Sequence, residues 1–130
     1  MILDTSFLID IFAGQERAFE KGLELSEANI VQRVPTPVVM ELAYGAEFGD
    51  EQERRNVQNA LRMYPVVEQN EQIAHRAGQL LAMADQAGDG ETGIDKVDPM
   101  VAAVSDIYDE AVLSANVEDF DALGVAVETY

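Results

Sequence analysis

The sequence has no cysteine and no tryptophan, a single histidine, and only two lysines among 130 residues. Without cysteine there is no disulfide, no zinc–thiolate site and no cysteine nucleophile. One histidine, His75, excludes a histidine-rich metal site and leaves any Ser-His-Asp triad hanging on that residue. A metal bound here is therefore a hard cation held by oxygen. No apolar stretch approaches the roughly 20 residues that span a bilayer, and Met1-Ile2-Leu3 gives way at once to Asp4. No secretory apolar region forms, so a cytoplasmic protein is expected, with no membrane partner. Repeats, low-complexity tracts and interdomain linkers are absent as well.

Acid is what the chain has in excess. Twenty-five Asp and Glu against 8 Lys and Arg give a net charge of −17, yet 48% of the residues are hydrophobic and well distributed, which argues against disorder. The length and apolar content fit one domain over residues 1–130 with a sizeable core. The charge reads in two ways. An acidic surface avoids nucleic acid, whose phosphates normally meet a basic patch. Alternatively, scattered acid with lysine only at Lys21 and Lys96 resembles the composition of halophilic archaeal proteins. At about 1 M salt the Debye length shrinks to about 3 Å, and net charge then says little about partners. The halophilic reading is the one favoured here, and it weakens the objection to an RNA substrate.

Along the chain, Met1–Asp4 reads as a short buried strand ended by its acid. Thr5–Ala13 carries Phe7, Leu8, Ile11 and Phe12 at helical spacing and closes on Gly14; Glu16–Glu27 continues as a second helix. Asn29–Pro35 reads as a strand. Thr36-Pro37 is an N-cap threonine with proline at the first helical position, opening a helix to about Glu47. Asp50–Met63 is a charged helix, Tyr64–Val67 a short strand, and Gln72–Ala87 an amphipathic helix with Ile73, Ala77, Leu80, Leu81 and Ala84 on one stripe. A polar loop, Gly88–Gly93, precedes Asp98-Pro99, a second cap-plus-proline signal. Ala111–Leu113 and Val125–Val127 read as strands with Asn116–Leu123 between them. Strands alternating with helices predict an α/β fold, a mostly parallel central sheet with helices on both faces.

Sites in open parallel sheets form beyond the carboxyl ends of the strands. Asp4 ends the first strand there, Glu41 lies in the second turn after the second strand, Asp98 opens a helix, and Asn116 and Asp119 follow the strand Ala111–Leu113. Distant segments thus deliver oxygen ligands to one edge, which suits Mg²⁺ or Mn²⁺ with waters completing the octahedron. Each residue also has a local role that needs no function. Asp4 and Asp98 are good N-caps, Glu41 can be a solvated flank, and Asp119 an ordinary loop acid. His75, Lys96, Arg54 and Arg55 read as surface groups. The case rests on the set.

Four segments resemble motifs of the PIN-domain nucleases. They are Met-Ile-Leu-Asp-Thr-Ser-Phe-Leu-Ile-Asp from residue 1, Thr-Pro-Val-Val-Met-Glu-Leu-Ala-Tyr-Gly from residue 36, Asp-Pro-Met-Val-Ala-Ala from residue 98, and Leu-Ser-Ala-Asn-Val-Glu-Asp-Phe from residue 113. Their order and spacing are similar to those of VapC-type toxins of toxin–antitoxin pairs, and the likeness covers essentially the whole chain. The resemblance implies a PIN-like three-layer sandwich. It also implies an active Mg²⁺-dependent endoribonuclease, normally a homodimer, silenced by a small antitoxin protein. It carries Asp4, Glu41 and Asp98 over as the acidic core, with Asp4 and Asp98 as metal ligands. Many PIN domains have Asp where this chain has Asn116, and Asp119 either substitutes or tunes the site. Ser114 replaces a common threonine, and Ser6 orients a carboxylate, as ligands at metal sites require. A cation that activates water removes the need for a histidine or lysine base, and Glu41 is the candidate for orienting that water.

Other classes fit less well. A haloacid-dehalogenase phosphatase needs an acid two positions after Asp4, where Ser6 stands; a phospho-receiver needs an acid pair and a late-strand lysine, and has neither. A non-catalytic PIN-fold RNA- or protein-binding module remains the alternative, although none of Asp4, Glu41 and Asp98 is lost. Phe12, Tyr44 and Phe48 look like more aromatic surface than one small core covers, so a partner groove is expected between the first helix and Val38–Phe48.

Overall fold

Ile2 and Leu3 point to opposite faces of a strand, and both are fully buried; so are Val112 and Leu113. A strand buried on both sides requires cover on both sides, the signature of a parallel sheet between helical layers. The computed structural model describes residues 1–88 and 90–130. Its elements run β1 (Ile2–Leu3), α1 (Thr5–Phe12), α2 (Glu16–Glu27), β2 (Val34–Pro35), α3 (Thr36–Ala46), α4 (Glu51–Leu61), β3 (Val66–Val67), α5 (Glu71–Ala87), α6 (Val97–Tyr108), β4 (Val112–Leu113), α7 (Val117–Ala122) and β5 (Val127–Glu128). Residue 89, in the expected polar loop Gly88–Gly93, lies outside the described residues.

Every strand pairing is parallel. Ile2 lies opposite Val112, Val112 opposite Val127, and Val34 opposite Val66. A parallel bridge between Ile2 and Arg33 joins the two ladders, with Leu3 donating to the Arg33 carbonyl at 2.8 Å and Arg33 to that of Met1 at 2.9 Å. The strands therefore lie in the order β3-β2-β1-β4-β5. Phe7, Leu8, Val34, Val38, Val101, Val104 and Phe120 fill the core around them. The stripe expected on α5 is buried at Ile73, Ala77, Leu80 and Ala84, and α5 packs on α6.

Local chemistry explains where the elements stop. Gly14, at φ +73°, closes α1 as expected: its N–H reaches the Ile11 carbonyl and the next N–H reaches Asp10. The same wrap ends α2, and it corrects one expectation. Asn29 adopts φ 56° and donates to Ser26, while Ile30 donates to Leu25 at 2.9 Å. Those residues serve the helix end, so the strand expected from Asn29 shrinks to Val34–Pro35, and Ile30 and Val31 are exposed. Thr36 is not the cap of α3; Pro35 holds that position, and the Thr36 hydroxyl instead accepts the Gln69 N–H at 2.9 Å.

Candidate active site

Asp4 occupies the cap position of α1, yet its side chain makes no cap hydrogen bond. Its carboxylate, in a residue only 5% exposed, is engaged otherwise. Ser114 Oγ, at the end of β4, donates to Asp4 Oδ2 at 2.6 Å, and Ser6 Oγ, in the first turn of α1, donates to the same oxygen at 3.1 Å. The two hydroxyls lie 3.2 Å apart. Each is seated by backbone: Ser6 Oγ accepts from Ala115 N at 3.0 Å and Ser114 Oγ from Asn116 N at 2.9 Å. Among the described residues, no hydrogen bond reaches Asp4 Oδ1.

Asp98 is not a cap either. The helix begins at Val97 with Lys96 at the cap, and the Val97 N–H is taken by Asp95 Oδ1 at 3.1 Å. Asp98 therefore sits inside the first turn, with its carboxylate engaged away from the helix end. Asn116 Nδ2 bridges it to α7, donating to Asp98 Oδ2 at 3.2 Å and to Asp119 Oδ2 at 2.7 Å. Glu41 extends the site along the sheet edge, because Thr5, the neighbour of Asp4, donates to Glu41 Oε1 at 2.6 Å. Residues of α1, α3, α6 and α7, with Asp4 and Ser114 just beyond the ends of β1 and β4, are thus linked by hydrogen bonds along one edge.

The electrostatics are one-sided. Asp98 is pushed up to about 7, first by burial, then by the Asp4 charge, and further by the hydrogen bond and charge of Asp119 and by Asp95. Among the described residues, no ion pair involves Asp4, Glu41, Asp98 or Asp119, so nothing cationic offsets them. Nor do the described residues gather three His, Asp or Glu groups into a preformed metal cage. Mg²⁺ does not need one; it keeps several waters and takes one or two carboxylates. Hard oxygen donors, carboxylates without a cationic partner among the described residues and a carboxyl pushed well above its ordinary range fit such a cation.

The groups expected on the surface are there. His75 and Lys96 are exposed, and Arg54 and Arg55 pair with Glu47 at 3.8 Å and Glu51 at 2.9 Å. Sequence reasoning missed Thr5, Asp95 and Tyr130. Thr5 and Asp95 adjoin recognised acids, so a search of flanking hydroxyls and carboxylates would have found them. Tyr130 carried no signal, because only the fold returns it to α1, where its hydroxyl donates to Asp10 Oδ2 at 2.5 Å.

The parallel sheet with acids at its carboxyl edge is the arrangement of a PIN domain, and the chain belongs to the PIN domain family, which it matches over residues 1–125. Within that family its fold is similar to chains of VapBC toxin–antitoxin complexes. Against VapBC2 from Rickettsia felis bound to a DNA fragment from their promoter, the TM-score is 0.85 at 17% identity, covering 99% of this chain and 97% of that one. Against DNA-bound VapBC from Salmonella typhimurium it is 0.80 at 24% identity, covering 98% and 96%. VapC20 from Mycobacterium tuberculosis, a sarcin–ricin loop cleaving toxin, gives 0.70 at 15% identity, covering 96% and 95%. No curated protein matches the sequence. Among the described residues, no helix is long and apolar enough to cross a membrane.

Proposed function

We propose that residues 1–130 form one catalytic PIN domain that cleaves RNA phosphodiester bonds with a divalent cation, Mg²⁺ or Mn²⁺, as the toxin of a toxin–antitoxin pair. One observation carries this reading: Asp4 and Asp98, the two acids with a ready structural excuse as caps, cap neither helix with their side chains. They stand as carboxylates without cationic partners, and burying charge in that state costs energy unless a ligand repays it.

In this reading Asp4 and Asp98 hold the cation, Asp119 fills the fourth acidic place, and Asn116 spaces Asp98 from Asp119 with its amide. Ser6 and Ser114 fix the Asp4 carboxylate, which is how neighbours of metal ligands act. Glu41, oriented by Thr5, accepts a proton from the attacking water. The cation, when bound, supplies charge stabilisation for the phosphoryl group and lowers the pKa of water. The single-sign pocket also requires that cation before a phosphate approaches.

The partner belongs to the same reading. An apolar groove of about 680 Å³ lies between α1, α2 and α4, lined by Phe12, Phe19, Leu23, Val31 and Met63. Phe19 is 64% exposed and Met63 79%. A smaller groove of about 380 Å³ runs between α1, α3 and α4 beside Glu41, close to Tyr44 and Phe48, whose exposed rings meet edge-to-face at 5.0 Å. The larger groove suits the apolar face of an antitoxin helix. That leaves the Tyr44–Phe48 surface for a second copy in a homodimer. The cytoplasm is the compartment this pairing needs.

The test is cleavage of defined RNAs by purified protein with Mg²⁺, Mn²⁺ or chelator at high salt. Cleavage that needs the cation and is abolished in folded Asp4→Asn and Asp98→Asn supports the reading. A folded Asp4→Asn with full activity overturns it.

A further inference from the structure

The C-terminal segment Val127–Tyr130 starts just after the PIN family match ends at residue 125, yet it grips the structures on both sides of Asp4. On one side, the Glu128 carbonyl accepts the Ser114 N–H at 3.0 Å, fixing the residue whose hydroxyl holds Asp4 Oδ2. The Glu128 carboxylate is itself tied to Lys21 of α2 at 3.3 Å. On the other side, Tyr130 closes back on α1. Its ring meets Phe7 edge-to-face, centroids 5.2 Å apart at 76°, and its hydroxyl donates to Asp10 Oδ2 at 2.5 Å. Phe7 follows Ser6 directly, and Asp10 stands four residues on, on the same helix face as Ser6.

The phenol is a committed donor. Burial first, then the Asp10 hydrogen bond and charge, raise its pKa above the ordinary tyrosine range; the Ser6 hydroxyl beside it pulls the other way, and the Asp4 charge adds to the rise. Tyr130 thus stands protonated as the donor to Asp10. Ser6 and Ser114 reach one oxygen from two separate elements, α1 and β4. Their 3.2 Å spacing depends on how those elements sit against each other, and this segment is attached to both.

We propose that Tyr130 is a positioning residue: through Asp10 and Phe7 it seats α1 so that Ser6 and Ser114 together hold Asp4 for cation binding. The proposal rests on the reading of Asp4 as a cation ligand. Aromatic contact alone would pack the tail; the hydrogen bond to Asp10 adds direction, because it fixes the rotation of α1 about its axis.

The test is calorimetric titration of the full chain with Mn²⁺ alone, in wild type, Asp4→Asn, Tyr130→Phe and Asp10→Asn, beside thermal melts of each. Tyr130→Phe keeps the ring against Phe7 and deletes only the hydroxyl. Its Asp4-dependent Mn²⁺ binding is expected to weaken about three- to tenfold, less than the 10–100-fold typical of a direct partner of a metal ligand. Asp10→Asn, whose amide oxygen still accepts from the phenol, stays within about twofold of wild type, because the hydrogen bond survives. If Tyr130→Phe binds Mn²⁺ as tightly as wild type and only melts earlier, the segment is packing and the proposal fails while the cation site stands. If Asp4→Asn binds Mn²⁺ as tightly as wild type, Asp4 is no ligand and both readings fail together.

Discussion

Ser114 Oγ and Asp4 Oδ2 come from residues 110 apart in sequence and lie 2.6 Å apart. That hydroxyl also takes the Asn116 N–H at 2.9 Å, so one buried atom serves the carboxylate of β1 and the turn that carries Asn116. Ser114→Ala takes the shorter of its two hydroxyl donors from Asp4 Oδ2, leaving Ser6, and takes the acceptor from the Asn116 N–H. Losing hydrogen bonds of this kind costs about 0.5–1.5 kcal/mol each, and the variant is expected to unfold at correspondingly lower denaturant. Its Mn²⁺ affinity should fall as well. Wild-type values for both would show that the hydroxyl only fills space.

Asp98 makes stability depend on pH in a direction set by its shift. Its ordinary value of 3.8 rises to about 7 in the folded, metal-free protein. Between those values the folded state binds more protons than the unfolded one, so this group's contribution falls as pH rises through that window. Asp98→Asn removes the dependence. In chelator at about pH 8 the variant should melt above wild type, and the gap should close as pH falls toward about 4. Saturating Mg²⁺ should raise the wild-type melting temperature and leave the variant nearly unmoved. Parallel melting curves of the two proteins across the window would refute this account.

The sequence displayed the acids more clearly than their employment. Asp4, Glu41, Asp98, Asn116 and Asp119 fall at the carboxyl edge because strand ends and helix starts are local signals, and alternation of the two dictates a parallel sheet. Cap roles were misjudged at Thr36 and Asp98 because a cap is a matter of one residue's backbone geometry. Asp95, not Asp98, meets the first free N–H of α6, and no spacing rule separates two acids three residues apart. Ile30 and Val31 looked like strand because their types favour it; the helix wrap at Asn29 overrode that preference. Asn116 as a bridge between two carboxylates, and Tyr130 against Asp10, depend on tertiary contacts that leave no periodicity behind.

Charge supplies a third prediction. A net −17 on 130 residues repels itself, and screening shortens the range of that repulsion from about 10 Å at 0.1 M to about 3 Å at 1 M salt. The melting temperature is therefore expected to rise steadily with KCl, and refolding to be poor in dilute buffer. A flat or falling dependence on KCl would mean the acids are already spaced or paired well enough, and the halophilic reading would lose its support.

The choice between the two grooves yields the last prediction. Phe19 on α2 and Met63 just beyond the end of α4 are largely exposed and line the larger groove. Neither contributes to the core, so Phe19→Asp and Met63→Asp should leave folding and basal RNA cleavage unchanged. Exposed aromatic and thioether side chains beside a concave apolar wall are what a partner helix buries, and anchors of that kind cost about 2 kcal/mol or more when removed. By that measure each substitution should weaken binding of the proposed antitoxin by about thirtyfold or more, and cleavage should resist its inhibition. Tyr44→Asp and Phe48→Asp, on the other surface, should leave inhibition intact and shift the oligomeric state instead, read by light scattering. The opposite pattern, with inhibition lost at Tyr44 and Phe48 and kept at Phe19 and Met63, would move the partner to the groove beside Glu41, where it could block the site directly.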